Sequence, residues 1–388
     1  MAAAFAHNPD LAVIAARLAR ADAQVASARA SSIPTINLGL GHRDGRKREA
    51  DFGPYALAPW ESRGQFSWEI DLSGRLRATT RSARHARDAA FWDVHAARLQ
   101  LASRIAATRF NLYRFNTEIA LLKQSTGASQ ETLQALRARA NAGIIATSTY
   151  HRQQAEHEKF TRQLVGVNRL RDITVVQLRT LVGGTMVSGT TRRQLPSPRD
   201  PSPLPLPQLL KASPTLLAAE ARVRSAFQLE KSAKLDLLPS LRFKVSATGA
   251  ASSLTRPYQV WQHQVGPSLD IPIYDPTRLA KIKLRRAETQ SAAAQYRSAV
   301  LTVLGEVDQA RISMQSRREQ LRIVQRELAS MQETRRYAAA QLKAGVTSQI
   351  EYLDTERRWL DAKRSEAAIQ QALLIDHLHL IKALGGAS

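Results

Sequence analysis

Residues 67–77 read Ser-Trp-Glu-Ile-Asp-Leu-Ser-Gly-Arg-Leu-Arg, and residues 268–279 read Ser-Leu-Asp-Ile-Pro-Ile-Tyr-Asp-Pro-Thr-Arg-Leu. Each stretch closes a segment of alternating apolar and polar residues and opens a long segment rich in Ala, Arg, Leu and Gln. Period-two alternation predicts a strand, and the second composition predicts a helix. Such a strand-to-helix passage occurs twice, which points to a duplicated chain.

Working outward, the duplication holds in register. Asn8-Pro9-Asp10-Leu11 opens one unit and Ser213-Pro214-Thr215-Leu216 the other, with a capping residue before a proline suited to the first helical position. Pro34 and Pro239 close these first helices. Ala142-Gly143-Ile144 matches Ala344-Gly345-Val346, and Gly183-Gly184 matches Gly385-Gly386. The offset is 205 residues at the prolines and 202 at the glycines. The reading is a first repeat over 7–184, a linker over 185–212 and a second repeat over 213–386. The linker holds Pro196, Pro198, Pro201, Pro203, Pro205 and Pro207, so it is expected to be extended.

Each repeat is expected to run helix, two strands, long helix, turn, helix. On the strands Ile36, Leu38 and Leu40 oppose Thr35, Asn37 and Gly39. Phe66, Trp68, Ile70 and Leu72 oppose Gln65, Ser67, Glu69 and Asp71. In the second repeat Leu241, Phe243, Val245 and Ala247 oppose Arg242, Lys244, Ser246 and Thr248. Trp261, Val265, Leu269 and Ile271 oppose Gln262, Gln264, Ser268 and Asp270. A half-buried soluble sheet has the same pattern. Lengths of about 9–11 residues, with Tyr55, Trp60, Tyr258 and Trp261 near the strand ends, favour membrane strands with an interfacial aromatic girdle. The long helices are expected over 75–140 and 277–343. At ~1.5 Å per residue each reaches roughly 100 Å, a length that needs a coiled coil or a barrel of helices.

The chain has 388 residues, a net charge of +23 and no cysteine. Without Cys there is no disulfide framework and no thiolate site. No run of 18 apolar residues predicts a membrane-spanning helix. The N-terminal residues carry Asp10, Arg17, Arg20 and Asp22 and read as a helix of the fold, so the chain as given is expected to lack an export signal and a lipid-attachment Cys. The arginines are spread along the helices without a dense basic run or a nucleic-acid motif, so no nucleic-acid partner is expected. His151 and His157, or His377 and His379, lack the spacing of a helical metal pair. No catalytic constellation, cofactor loop or metal site is legible, and the chain does not read as an enzyme.

The Asn8–Leu11 stretch, the 67–77 stretch, Ala344-Gly-Val-Thr-Ser-Gln-Ile-Glu-Tyr-Leu-Asp354 and the glycine-ended helices together resemble the TolC-like outer-membrane efflux factors, in the branch serving RND-type pumps. The resemblance runs from residue 7 to 386. It implies a mainly α protein with membrane β: a homotrimer whose four strands per protomer build one twelve-stranded β-barrel, continuous with a periplasmic α-helical barrel. It implies a passive outer-membrane duct working with a periplasmic adaptor (membrane fusion) protein and an inner-membrane pump. Leu38, Leu40, Phe66, Trp68, Ile70, Leu241, Phe243, Val245, Val265 and Leu269 would then face lipid. Ala142, Gly143, Ile144, Ala344, Gly345 and Val346 would form adaptor-docking tips. Glu351 and Asp354 match tunnel-constricting acids, while Thr149 stands where the first repeat would carry one. Both acids also have local explanations: Ser348-x-x-Glu351 is a capping box, and Asp354 pairs with Arg358 at i,i+4. A soluble basic coiled-coil scaffold or nucleic-acid-binding protein is the alternative, and it leaves the four alternating strands unexplained.

Overall fold

The computed structural model describes residues 2–42, 46–49, 53–56, 60–184, 206–251 and 260–386. In chain order these form α1 (Ala2–His7), α2 (Pro9–Ala30), β1 (Thr35–His42), β2 (Arg46–Glu49), β3 (Gly53–Ala56), β4 (Trp60–Ile70), α3 (Arg75–Asn141) and α4 (Thr147–Leu181). Then follow α5 (Leu206–Ala212), α6 (Pro214–Leu235), β5 (Ser240–Ala251), β6 (Val260–Asp270), α7 (Pro276–Lys343) and α8 (Gln349–Ala383). The long helices α3 and α7 start and stop within two residues of their expected bounds.

Three features differ from expectation. A two-stranded ribbon, β2–β3, stands between β1 and β4. The end of the proline-rich stretch is the helix α5, with Pro207 in its first turn, where a missing N–H costs nothing. α2 and α6 stop four residues before Pro34 and Pro239, which instead directly precede β1 and β5. Tyr258 and the other prolines of the linker lie outside the described residues.

The chain forms two compact units. One comprises residues 14–93 and 215–299. Its sheet has the order β1-β4-β5-β6, antiparallel throughout, so the central pair β4–β5 joins the two repeats. Beside it, α3 packs against α2 and α6. Ser82 and Ser225 each donate a hydroxyl to the other's carbonyl, at 2.9 and 3.0 Å, a contact that only small side chains permit. Arg222 grips Asp93 with one nitrogen at 2.7 and 2.6 Å from the two carboxylate oxygens. The acids of the two opening stretches cap the long helices: Asp275 accepts the backbone N–H groups of Thr277 and Arg278, and Asp71 those of Leu76 and Arg77.

The other unit comprises residues 1–13, 94–214 and 300–388. Here Ala4, Leu11, Leu101, Ile105, Leu112 and Leu178 form one core. Phe115, Ile119 and Leu122 of α3 pack on Val167 of α4, and Val324 and Leu328 of α7 pack with Ala362 of α8. Polar contacts tie α3 to α8, with Arg364 on Glu118 and Gln371 on Asn111. Asn8 caps α2 through Leu11 N–H at 3.0 Å, and its amide reaches the carbonyl of Leu181 at 2.9 Å. Two glycines close this unit. A Cβ on Gly183 would lie 2.2 Å from the His7 carbonyl, and one on Gly385 would lie 2.4 Å from that of Ala212.

Candidate functional site

Three features were expected to carry function: a sheet face, two tips and a pair of acids. The sheet face follows from the register. Ile36 pairs with Phe66, Phe66 with Val245 and Val245 with Val265, while Trp68 pairs with Phe243 and Ile70 with Leu241, itself opposite Leu269. Cross-strand partners share a face. Leu38 and Leu40, two and four residues from Ile36, lie on it too. All ten apolar positions therefore sit on one side of one sheet. Leu38 is 78 % exposed, Val265 61 % and Leu269 56 % within the chain. Trp60 meets His42 edge-on with ring centroids 4.7 Å apart, and both belong to this face. Eight residues along β4, Trp68 donates its indole N–H to the Ser32 carbonyl at 3.1 Å.

The opposite face is polar and charge-paired. Arg63 holds Glu61 at 2.8 Å, Arg242 holds Glu69 at 3.3 Å, and Arg278 holds Asp270 at 3.1 Å. β1 and β6 are the outer strands of the sheet, and neither has a second partner strand among the described residues.

The two tips share one geometry. Gly143 and Gly345 have φ of 72° and 73°, the left-handed region that glycine enters without strain. Ile144 N–H reaches back to the Arg139 carbonyl and Gly143 N–H to that of Ala140; Val346 and Gly345 repeat both bonds. This is the Schellman closure, which satisfies the last carbonyls of α3 and α7. It leaves Ile144 and Val346 70 % and 75 % exposed.

After the second tip, Ser348 caps α8. Its hydroxyl accepts Glu351 N–H at 3.2 Å, and the Glu351 carboxylate accepts Ser348 N–H at 3.1 Å and the Thr347 hydroxyl at 2.6 Å. The Thr347 hydroxyl, followed by the Ser348 N–H, holds the Glu351 carboxyl below the usual glutamate range. Asp354 pairs with Arg358 at 2.8 Å, as its spacing implies, and also with Arg357 at 2.8 Å. Arg357 was not singled out in the sequence, although its i,i+3 spacing from Asp354 was legible there. Its guanidinium also lies 3.9 Å from Glu156 of α4. Asp354, Arg357, Glu156, Arg152 and Thr149 line one cleft, so the structure brings Asp354 near Arg152, its counterpart in the first repeat, while Glu351, the counterpart of Thr149, does not line it. Two residues after Asp354, Glu356 is buried. It accepts from Arg335 and from Gln124 at 3.3 Å, and Arg335 stacks 4.4 Å over the Trp359 ring.

Among the described residues no group of three His, Asp or Glu side chains is placed to hold a metal, and no helix is long and apolar enough to cross a membrane. The features left are an unclosed sheet with one apolar face and two helical hairpins with matching tips.

Known proteins share this arrangement. The pyoverdine export outer membrane protein OpmQ of Pseudomonas putida is 26 % identical over 98 % of this chain and 83 % of its own length. The cation efflux system protein CusC of Escherichia coli O6:H1 is 24 % identical over 99 % of this chain and 84 % of its own. The solved outer-membrane channel OprN superposes with a TM-score of 0.87 at 22 % identity, covering 99 % of this chain and 88 % of that one. The profile of the outer membrane efflux proteins matches residues 2–184 and 206–386, and this chain belongs to that family.

Proposed function

We propose that this chain is one protomer of a homotrimeric exit duct, the outer-membrane component of a tripartite efflux pump. It is a passive conduit; the energy comes from an inner-membrane pump coupled through a periplasmic adaptor. The observation that carries the reading is the sheet: four strands, one apolar face and two free edges. Lipid does not tolerate open edges, because backbone N–H and C=O groups find no water there. β1 runs away from α2 and β6 runs back toward α7, so β6 of one copy meets β1 of the next antiparallel. Three copies then close twelve strands.

In this reading Leu38, Leu40, Phe66, Trp68, Ile70, Leu241, Phe243, Val245, Val265 and Leu269 face lipid, and the charge-paired face lines the pore. Ala142, Gly143, Ile144 and Ala344, Gly345, Val346 dock the adaptor. Exposed Ile144 and Val346, with open space around Gly143 and Gly345, support that role. Glu351 and Asp354, on one face of α8, narrow the tunnel mouth.

Light scattering of the detergent-solubilised protein tests the assembly. The expected protein mass is three times 42.9 kDa. A stable monomer with intact helicity refutes the barrel.

A further inference from the structure

The charges on the polar sheet face do not cancel evenly along the pore. In register order the rows are Gly41–Glu61–Ala250, then Gly39–Arg63–Thr248–Gln262, then Asn37–Gln65–Ser246–Gln264, then Thr35–Ser67–Lys244–Gly266, then Glu69–Arg242–Ser268. Glu61 and Arg63 neutralise each other, as do Glu69 and Arg242. Glu69 is further held by Arg75, and Asp270 by Arg278. Lys244 has no ion pair or hydrogen bond among the described residues. It is exposed, its own row is otherwise uncharged, and the next row is neutral amide and hydroxyl. Opposite it on β6 stands Gly266, where an added Cβ would meet nothing within 4 Å, so the space beside the ammonium is open.

We propose that Lys244 forms a threefold cationic ring inside the barrel that draws anionic solutes, those bearing carboxylate, sulfate or phosphate, into the pore. The inference rests on the trimeric barrel reading. Twelve strands at ~4.8 Å spacing and a tilt of roughly 40° give a backbone diameter of about 24 Å. A four-carbon lysine stem reaches about 6 Å inward, leaving the ammonium groups about 6 Å from the axis. That is inside the Debye length of about 8 Å at physiological ionic strength, so the ring is felt by a solute anywhere in the cross-section. Rings of Lys or Arg are the means by which pores select anions.

The absence of cysteine makes the local field measurable. Ser67 lies directly across from Lys244. In Ser67→Cys, the rates of modification by an anionic sulfonatoethyl and a cationic trimethylammonium-ethyl methanethiosulfonate are compared in membranes. A single charge at about 5 Å, screened by salt, sets the expected drop in the anion-to-cation rate ratio at roughly fivefold when Lys244→Gln is added. Lys244→Arg is expected to keep the ratio. An unchanged ratio in Lys244→Gln overturns the ring and leaves the duct standing. If Val265→Cys, on the other face, reacts with these hydrophilic reagents as fast as Ser67→Cys, the barrel itself is refuted, and the ring with it. The readout is local to the barrel, so it does not depend on how far the periplasmic end is open.

Discussion

Replacing Val265 by arginine and, separately, Gln264 by arginine tests the membrane sheet with two neighbours on one strand. Val265 is the central residue of β6, with five residues on either side. At ~3.4 Å per residue that places it about 17 Å from each strand end, and at a tilt of about 40° roughly 13 Å from each rim of an apolar band ~25 Å tall. In the proposed barrel it is therefore at the bilayer midplane, facing lipid beside its partner Val245. Arginine there costs about 2–4 kcal/mol per chain. Copies in the trimer are four strands, or roughly 19 Å, apart, far enough for the costs to add to about 6–12 kcal/mol per barrel. A loss of that size is comparable to the whole stability of many domains. In the same barrel Gln264, beside Ser246, faces the water-filled pore, so its replacement is expected to change stability by no more than ~0.5 kcal/mol.

The assay is the urea midpoint for folding into lipid vesicles, with the outer-membrane fraction in cells as a second measure. Val265→Arg is expected to abolish assembly and Gln264→Arg to preserve it. Equal tolerance, or greater damage from Gln264→Arg, refutes the assignment of faces.

Further outcomes follow from the same geometry. Gly183→Ala and Gly385→Ala must displace the His7 and Ala212 carbonyls, so each is expected to lower the urea midpoint well beyond Gly143→Ala, which meets no neighbour and bears only the left-handed penalty of about 1–2 kcal/mol. Ile144→Glu with Val346→Glu is expected to abolish export with barrel insertion intact, and crosslinkers at these positions are expected to capture the adaptor; capture from 241–271 instead counts against the tips. Because the Glu351 carboxyl is held below its usual value, its capping contribution is full above the ordinary range near 4.3 and fades as pH falls through the depressed value. Exchange of the Ser348 amide, corrected for intrinsic rate, is expected to accelerate only in that acidic window.

The larger elements were legible because their signals repeat over many residues. The sheet faces are readable from alternation alone, and β-register then adds what alternation leaves open, that all four apolar faces coincide. The long helices were legible from composition, whereas the capping of their starts by Asp71 and Asp275 was seen in the structure. The ribbon β2–β3 was not: Arg-Lys-Arg-Glu opposite Gly-Pro-Tyr-Ala has no apolar alternation to reveal it. α5 was hidden by the prolines before it, although its counterpart α1 lies 204 residues earlier. At the acids, sequence spacing revealed the capping box and the Asp354–Arg358 pair, because both are local to one helix. The reach of Arg357 to Glu156 depends on α4 lying beside α8, which no spacing within either helix discloses.

That local chemistry alters what the acids do to ions. In the proposed duct three copies of Glu351 and Asp354 would bring six carboxylates to the tunnel mouth, an arrangement that by itself enriches cations. Each Asp354, however, is held by two guanidiniums at 2.8 Å, so every chain sets Arg357 and Arg358 against Glu351 and Asp354 and the local sum is zero. On the proposed reading the mouth would then narrow the tunnel by bulk and hydration, with little preference for sign. Glu351→Ala with Asp354→Ala removes the bulk, leaves Arg358 of each chain without a carboxylate and leaves Arg357 only Glu156 at 3.9 Å. Planar-bilayer recordings are expected to show higher conductance together with a shift toward anions. Adding Arg357→Ala and Arg358→Ala is expected to keep the higher conductance and cancel the shift. A wild-type channel with strong cation preference and divalent block, both lost in the double variant without any gain of anion preference, refutes the compensation and returns the charge to the carboxylates.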